Sequence, residues 1–279
     1  MATFRLALTG VLFAAAACAQ SVEIYSEFHR LDPFGAVVAS DKALAVREIL
    51  SPAVARNGFA SFHIAVSVPP GESYLLYVVT NPVNACRVAL YKEHFVATPA
   101  GFVPDPLVEI ERLPDFGVMP DPDEKIEGQN TRLYLLDLWI PPGAAVSRFR
   151  VEVQLKVGVW TVAPLEVRVL EARVPGITLV PGVARPPVPP PVEAAADASA
   201  MQVLADYFTG TQPLSFGRPA TLREIIRRNA AQDMALAASL DPRAGGADAL
   251  MRRFLGLCLA PRILGAETYL RIRDFLYSQ

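Results

Sequence analysis

Between residues 22 and 172 apolar and polar positions alternate with period two, most clearly at 148–157. There Phe149, Val151, Val153, Leu155 and Val157 interleave with Arg148, Arg150, Glu152, Gln154 and Lys156. Successive side chains of a strand point to opposite faces, so this stretch sets one apolar side against one polar side, which a helix with 3.6 residues per turn cannot do. It predicts a half-buried antiparallel strand. Phe62, Ile64, Val66 and Val68 alternate with Ser61, His63, Ala65 and Ser67, and the pattern resumes at 74–80 after Pro69-Pro70-Gly71-Glu72, which predicts a hairpin. Further strands are predicted over 22–28, 44–50, 87–95, 132–140 and 161–171. Short strands separated by Pro and Gly predict an Ig-like antiparallel β-sandwich. Residues 99–130, rich in Pro, Gly and acidic side chains and weak in periodicity, are expected to form a long loop along one sandwich edge.

Beyond residue 175 the pattern changes. Pro186-Pro187-Val188-Pro189-Pro190-Pro191 predicts an extended polyproline spacer, without internal hydrogen bonds, at a domain boundary. The period is then helical: Met201, Leu204 and Phe208 share a face, and Thr221-Leu222-Arg223-Glu224 after Pro219 is a capping box opening a helix to about residue 240. Leu250, Met251, Phe254, Leu255 and Cys258 continue at that spacing, and Pro261 precedes a last helix through Tyr269, Ile272 and Phe275. The expected fold is therefore mainly β with an α tail: a sandwich over 20–175, a Pro-rich linker over 176–197 and a small helical bundle over 198–279. The spacer predicts two separable folding units.

Residues 1–19 predict a cleaved signal peptide: Arg5, an apolar run over 6–17 broken by Thr9 and Gly10, and small residues at Ala17-Cys18-Ala19, leaving Gln20 first. The run falls short of the roughly 20 residues that cross a bilayer, and no later segment reads as a span. Two alternatives stay open. The run is a retained anchor, or Cys18 is a lipidated N-terminus, although Ala15 stands where a lipobox has Leu. The expected location is secreted or periplasmic. After cleavage only Cys86 and Cys258 remain, so stability is expected from the core rather than a disulfide framework. At 52% hydrophobic the chain has material for such a core, and a net charge of −2 lacks the basic footprint of a nucleic-acid binder. Residues 195–279 carry ten Arg against eight carboxylates, whereas 20–175 carry fourteen basic against nineteen acidic residues, so the halves should attract.

Chemistry-bearing motifs are sparse. His29, His63 and His94 lack a metal-ligand spacing, and His63 falls on the polar face of its strand, where it is expected to be exposed. No nucleophile elbow or phosphate-binding glycine loop is present, so no catalytic residue, cofactor or metal site is assigned. Asp121, Asp123, Glu124 and Glu127 read as a solvated acidic loop; calcium is the alternative, but the EF-hand order is missing. Tyr134, Leu136, Leu138 and Ile140 form one face of their strand, and Leu133, Leu135, Asp137 and Trp139 the other. A strand apolar on both faces is covered on both. The candidate ligand-binding pair is Trp139, for stacking on a sugar, beside Asp137; the alternative packs Trp139 against a loop or the helical tail. Trp160 reads as core.

Four stretches resemble one family. Ala55-Arg56-Asn57-Gly58-Phe59-Ala60-Ser61-Phe62-His63, Pro104-Asp105-Pro106-Leu107, Leu138-Trp139-Ile140-Pro141-Pro142-Gly143-Ala144 and Pro164-Leu165-Glu166-Val167-Arg168-Val169-Leu170 are similar, in the same order, to motifs of the N-terminal β-sandwich of glycoside hydrolase family 123-type proteins. Gly58 and Ala60 replace acidic residues usual there, and His63 replaces Gln. In that family the paired carboxylates lie in a catalytic barrel outside this region. The resemblance implies a sandwich module and carries over no catalytic residue. Two functions follow: an exported non-enzymatic binding or assembly module with a protein partner, and an accessory carbohydrate-binding protein.

Overall fold

The computed structural model describes residues 20–27, 29–39, 50–99, 101–174, 177–179, 214–216 and 218–222, together with Glu224, Ile225, Arg228, Asn229 and Gln232. The leader at 1–19, the strand predicted over 44–50 but for Leu50, most of the linker and most of the helical tail, Cys258 included, lie outside these residues.

Two five-stranded sheets face each other. The first has the order β1-β5-β10-β7-β8, from β1 (Ser21–Ser26), β5 (Phe59–Ser67), β10 (Thr131–Trp139), β7 (Arg87–Thr98) and β8 (Gly101–Glu109). The second has the order β4-β12-β11-β6-β9, from β4 (Ala53–Arg56), β12 (Val159–Arg173), β11 (Arg148–Val157), β6 (Ser73–Asn81) and β9 (Asp115–Val118). Pairing within both is antiparallel except that β4 runs parallel to β12. Two small ladders complete the described strands: β2 (Arg30–Leu31) with β3 (Val37–Ala39), and β13 (Ile177–Leu179) parallel to β14 (Leu214–Phe216). The core between the sheets is the alternating apolar set expected from period two: Ile64 and Val66 of β5, Leu136 and Leu138 of β10, Val151 and Val153 of β11, and Leu165 and Val167 of β12. All eight are buried.

Two expectations change. Strands β5 and β6 do not form a hairpin: β5 pairs with β1 and β10, while β6 pairs with β11 and β9 in the opposite sheet. Pro69 and Pro70 have no N–H for a ladder, and the turn instead crosses the core. It is closed by Glu72 N donating to Pro69 O (3.1 Å) and Gly71 N donating to Met119 O (2.7 Å). Gly71 sits at φ 86°, where a side chain is strained. Residues 99–130 are not one loop, since they hold β8 and β9. The prolines that hid β8 are tolerated because β8 pairs in the sheet with β7 alone. Its outer side receives the chain again, through a bridge between Pro106 and Thr221 and a hydrogen bond from Leu107 N to Ala220 O (2.9 Å). Contacts thus cross the boundary placed at 176–197. The capping box forms locally: Glu224 N donates to Thr221 Oγ1 (3.3 Å), and Leu222, Glu224, Ile225, Arg228, Asn229 and Gln232 have helical backbone.

Edge strand β9 is held by a close approach. Asp115 points inward and accepts from Tyr134 Oη (2.8 Å), which is hydrogen-bonded to Tyr74 Oη (2.7 Å). A Cβ on Gly117 would collide with the Tyr74 ring. Gly117→Ala should therefore force β9 off the ring and cost about 1–3 kcal/mol, as overpacking does. Urea unfolding of the variant measures it, and an unchanged midpoint would show that Tyr74 yields freely.

Candidate functional site

The outer face of the first sheet carries the polar groups that sequence analysis singled out. Register sets Asp137 beside Ser61 and Ala89, and Leu135 between His63 and Tyr91. This face is covered. Leu222 and Ile225 pack on Tyr91, Leu107 and Leu135, while Leu31 packs on Ala65 and Leu133. Spacing of three to four residues puts Leu222, Ile225, Arg228, Asn229 and Gln232 on one helical stripe, its apolar end on the sheet centre and its polar end over Ser61 and Asp137.

Asp137, 5% exposed, is gripped by Arg228 at two points, from Nη1 to Oδ2 (2.7 Å) and from Nη2 to Oδ1 (2.6 Å), and it also accepts from Ser61 Oγ (2.8 Å). Asn229 Nδ2 donates to Glu27 Oε2 (2.6 Å), and the Arg228 guanidinium lies 3.6 Å from the Phe59 ring centroid. Gln232 takes a neighbouring strand's place, with Nε2 donating to Phe59 O (3.0 Å) and Oε1 accepting from Phe59 N (2.5 Å). Both oxygens of the candidate Asp137 are thus engaged within the chain. Trp139 is half-buried at the margin of the same face, with the Arg87 guanidinium 5.8 Å from its ring centroid.

A second buried polar group adjoins the first. His63 is 1% exposed, not solvent-exposed as its polar strand face suggested, because Arg30 and Leu31 pack over that face. Its Nδ1 is 2.5 Å from Glu93 Oε1, and its Nε2 meets Arg30 Nη1. Arg30 can only donate, so Nε2 accepts and the Nδ1 proton goes to Glu93: a neutral imidazole satisfies both neighbours. Burial, then Arg30, hold His63 below its ordinary value of 6.5, against the raising effect of Glu93. Burial also pushes Arg30 down to about 10, where it stays cationic at neutral pH. Since the unfolded chain binds the His63 proton more readily, this contribution to stability is complete above pH 6.5 and is lost as pH falls below it. Melting temperature should drop more steeply from pH 7 to pH 5 in the native protein than in His63→Gln; parallel profiles would refute the linkage.

The remaining candidates are placed apart. His29 stacks on Tyr25, and His94 pairs with Glu124 (2.8 Å). Asp121 and Glu124 are not solvated: both turn inward to Arg132 Nη1, at 3.0 and 2.8 Å, while Asp123 and Glu127 are exposed. Among the described residues no cluster of three or more His, Cys, Asp or Glu is placed to hold a metal ion. Burial pushes the Cys86 thiol up to about 12, which leaves it inert as a nucleophile.

Among the described residues none packs over the outer face of the second sheet. Register aligns Trp160 of β12, Lys156 of β11, Leu75 of β6 and Phe116 of β9 in one cross-strand row, on the order of 14 Å long at ~4.8 Å per strand. Trp160 is 51% exposed and Phe116 72% exposed, with Lys156 Nζ 5.5 Å from the Trp160 ring centroid. Val162, Gln154 and Tyr77 form the next row. Trp160, read as core from its neighbour Val162, is therefore a surface residue, on the side of β12 that faces away from the core. The signal for it was the outward parity of Trp160, Val162, Pro164 and Glu166 against the buried Leu165 and Val167.

No protein-family model matches the chain, and no curated protein matches it in sequence. Solved structures similar to it include a family 123 glycoside hydrolase from Clostridium perfringens, with TM-score 0.35 and 10% identity, over 68% of this chain and 34% of that one. A DUF4466 family protein from Parabacteroides merdae has TM-score 0.31 and 12% identity, over 54% and 43% of the two chains. The ASH/PapD-like domain of human CEP192 has TM-score 0.24 and 6% identity, over 62% and 97%. The chain spans about a third of the length of the glycoside hydrolase. No helix among the described residues is long and apolar enough to cross a membrane.

Proposed function

We propose that the chain is an exported, non-enzymatic binding or assembly module of the cell envelope that makes its contact through the outer face of the second sheet. One observation carries this reading. The first sheet's outer face is closed by the chain's own residues, whereas the second sheet's bears Trp160 and Phe116 at 51% and 72% exposure on a rigid, edge-to-edge row. Exposed apolar groups gathered in one place mark contact surfaces, whereas scattered ones need no explanation. The groups with chemical potential, His63, Glu93, Asp137 and Arg228, bond to one another under cover, which supports the non-enzymatic reading. The leader-like residues 1–19 support export.

A carbohydrate ligand is the second reading. A sugar ring can stack on Trp160, with the Lys156 ammonium and the Gln154 amide as donors for hydroxyls. This moves the sugar-stacking role from Trp139 to Trp160. The Trp160→Ala/Phe116→Ala double variant should keep the native melting temperature within a few degrees, because both side chains are largely exposed, and should lose about tenfold or more in affinity for the envelope fraction or glycan that the native protein retains. Equal retention by the two proteins would remove this face. N-terminal sequencing of exported protein is expected to begin at Gln20; a diacylglycerol-modified Cys18 at the N-terminus would move the cleavage site to Ala17-Cys18.

A further inference from the structure

The second sheet's outer face has two halves. Toward the β11–β12 turn it is apolar, with Trp160, Val162, Leu75, Tyr77, Phe116 and Val118. Toward the other end it is charged, and over the whole face of β11 and β12 four cations, Arg148, Arg150, Lys156 and Arg168, stand against two carboxylates, Glu152 and Glu166. That excess of positive charge belongs to a chain whose net charge is −2. The cations are also the more prominent partners in their pairs: Arg148 is 66% exposed beside Glu166 at 47%, and Arg150 is 60% exposed beside Glu152 at 27%. The apolar run 6–17 ends three residues before Gln20 in sequence.

We infer that this face docks on a lipid surface carrying anionic headgroups, an inference that rests on the same face being the module's contact surface. An indole at the level of the headgroups, with a lysine beside it and arginines behind, matches the layered polarity of a bilayer interface. The patch is also small for a second protein. At about 14 Å across and three outward positions deep it covers a few hundred Å², against about 800 Å² per partner in a stable protein complex. A membrane does not set that requirement, because the surface in contact is extended and a second attachment adds to it. One acyl chain holds a protein only marginally, and stable anchoring takes two signals. A lipid on Cys18, two residues before Gln20 in sequence, would supply that second attachment. With the leader cleaved at Gln20, the face alone gives weaker, reversible binding.

The test uses the exported protein with vesicles of equimolar phosphatidylglycerol and phosphatidylcholine, and with vesicles of phosphatidylcholine alone. Cosedimentation is expected with the first, at least about tenfold weaker with the second and weakened by salt. The Trp160→Ala/Phe116→Ala variant should bind the anionic vesicles about tenfold less. Lys156→Glu, at an exposed position that leaves folding unchanged, should bind them several-fold less. Native-like binding by both variants overturns the inference, as does failure of the native protein to sediment. Binding to a glycan array that the double variant loses, without vesicle binding, overturns the lipid assignment while leaving the proposed function standing. If neither probe responds to Trp160 and Phe116, both fall.

Discussion

Replacing Arg228 by Ala is expected to destabilise the protein by about 3–5 kcal/mol and to release the segment it belongs to from the sheet, because it leaves the Asp137 carboxylate buried with Ser61 as its remaining donor. Removing one partner of a buried ion pair costs more than the pair contributes, since desolvation of the survivor is no longer offset. The same segment is tied down by Leu222 and Ile225 in the apolar cluster, by Gln232 on Phe59 and by Arg218 on Glu109 (2.8 Å), so its release should be cooperative. Two measurements check this. Equilibrium unfolding gives the cost, and limited proteolysis should gain cleavage within 218–232 in the variant alone. Arg228→Met combined with Asp137→Leu supplies the control: with both charges replaced by apolar groups of similar size, stability should recover beyond that of either single variant. If Arg228→Ala unfolds at the native midpoint, the ion pair does not fasten the segment.

That contact shows where reading the sequence stops. The general attraction between a basic tail and an acidic sandwich was visible as charge counts, and Arg218–Glu109 and Arg228–Asp137 realise it. Which arginine meets which carboxylate was not visible, because 91 residues separate Arg228 from Asp137 and no local pattern encodes a pairing made by tertiary packing. Alternation identified β11, whose two faces meet different surroundings, a dry core and water. It was less informative for β5 and β10, where both faces are covered and nearly every position is buried. There the neighbouring runs at β5 and β6 suggested a hairpin, although they belong to opposite sheets. Asp137 and Trp139 were assigned to the correct outward face of β10, but what lies on that face, the chain itself, comes from residues far along the sequence. His63 failed for the same reason: polar parity predicts exposure only where the face is bare.

Arg132 carries the second large effect, and it recasts the acidic segment. The alternation of β10 that sends Tyr134, Leu136 and Leu138 into the core sends Arg132 the same way, one step beyond the apolar region, and its side chain is 1% exposed. A guanidinium there requires counter-charge. The segment after β9 supplies it with Asp121 at 3.0 Å and Glu124 at 2.8 Å, while Glu124 also holds His94 and Asp121 accepts from Asp123 N (2.8 Å). Gln129 completes the fold of this segment, donating to Thr131 O (3.2 Å) and accepting from Asp121 N (2.9 Å). Asp121 and Glu124 are thus the internal counter-ions of one arginine, which accounts for these two carboxylates without calcium. Arg132→Ala should cost about 3–5 kcal/mol, read from urea unfolding, by leaving two low-exposure carboxylates facing each other. Added calcium distinguishes the accounts directly. If the acidic residues serve Arg132, millimolar calcium leaves the native melting temperature unchanged, whereas a rise of several degrees in the native protein would assign the segment to the metal instead.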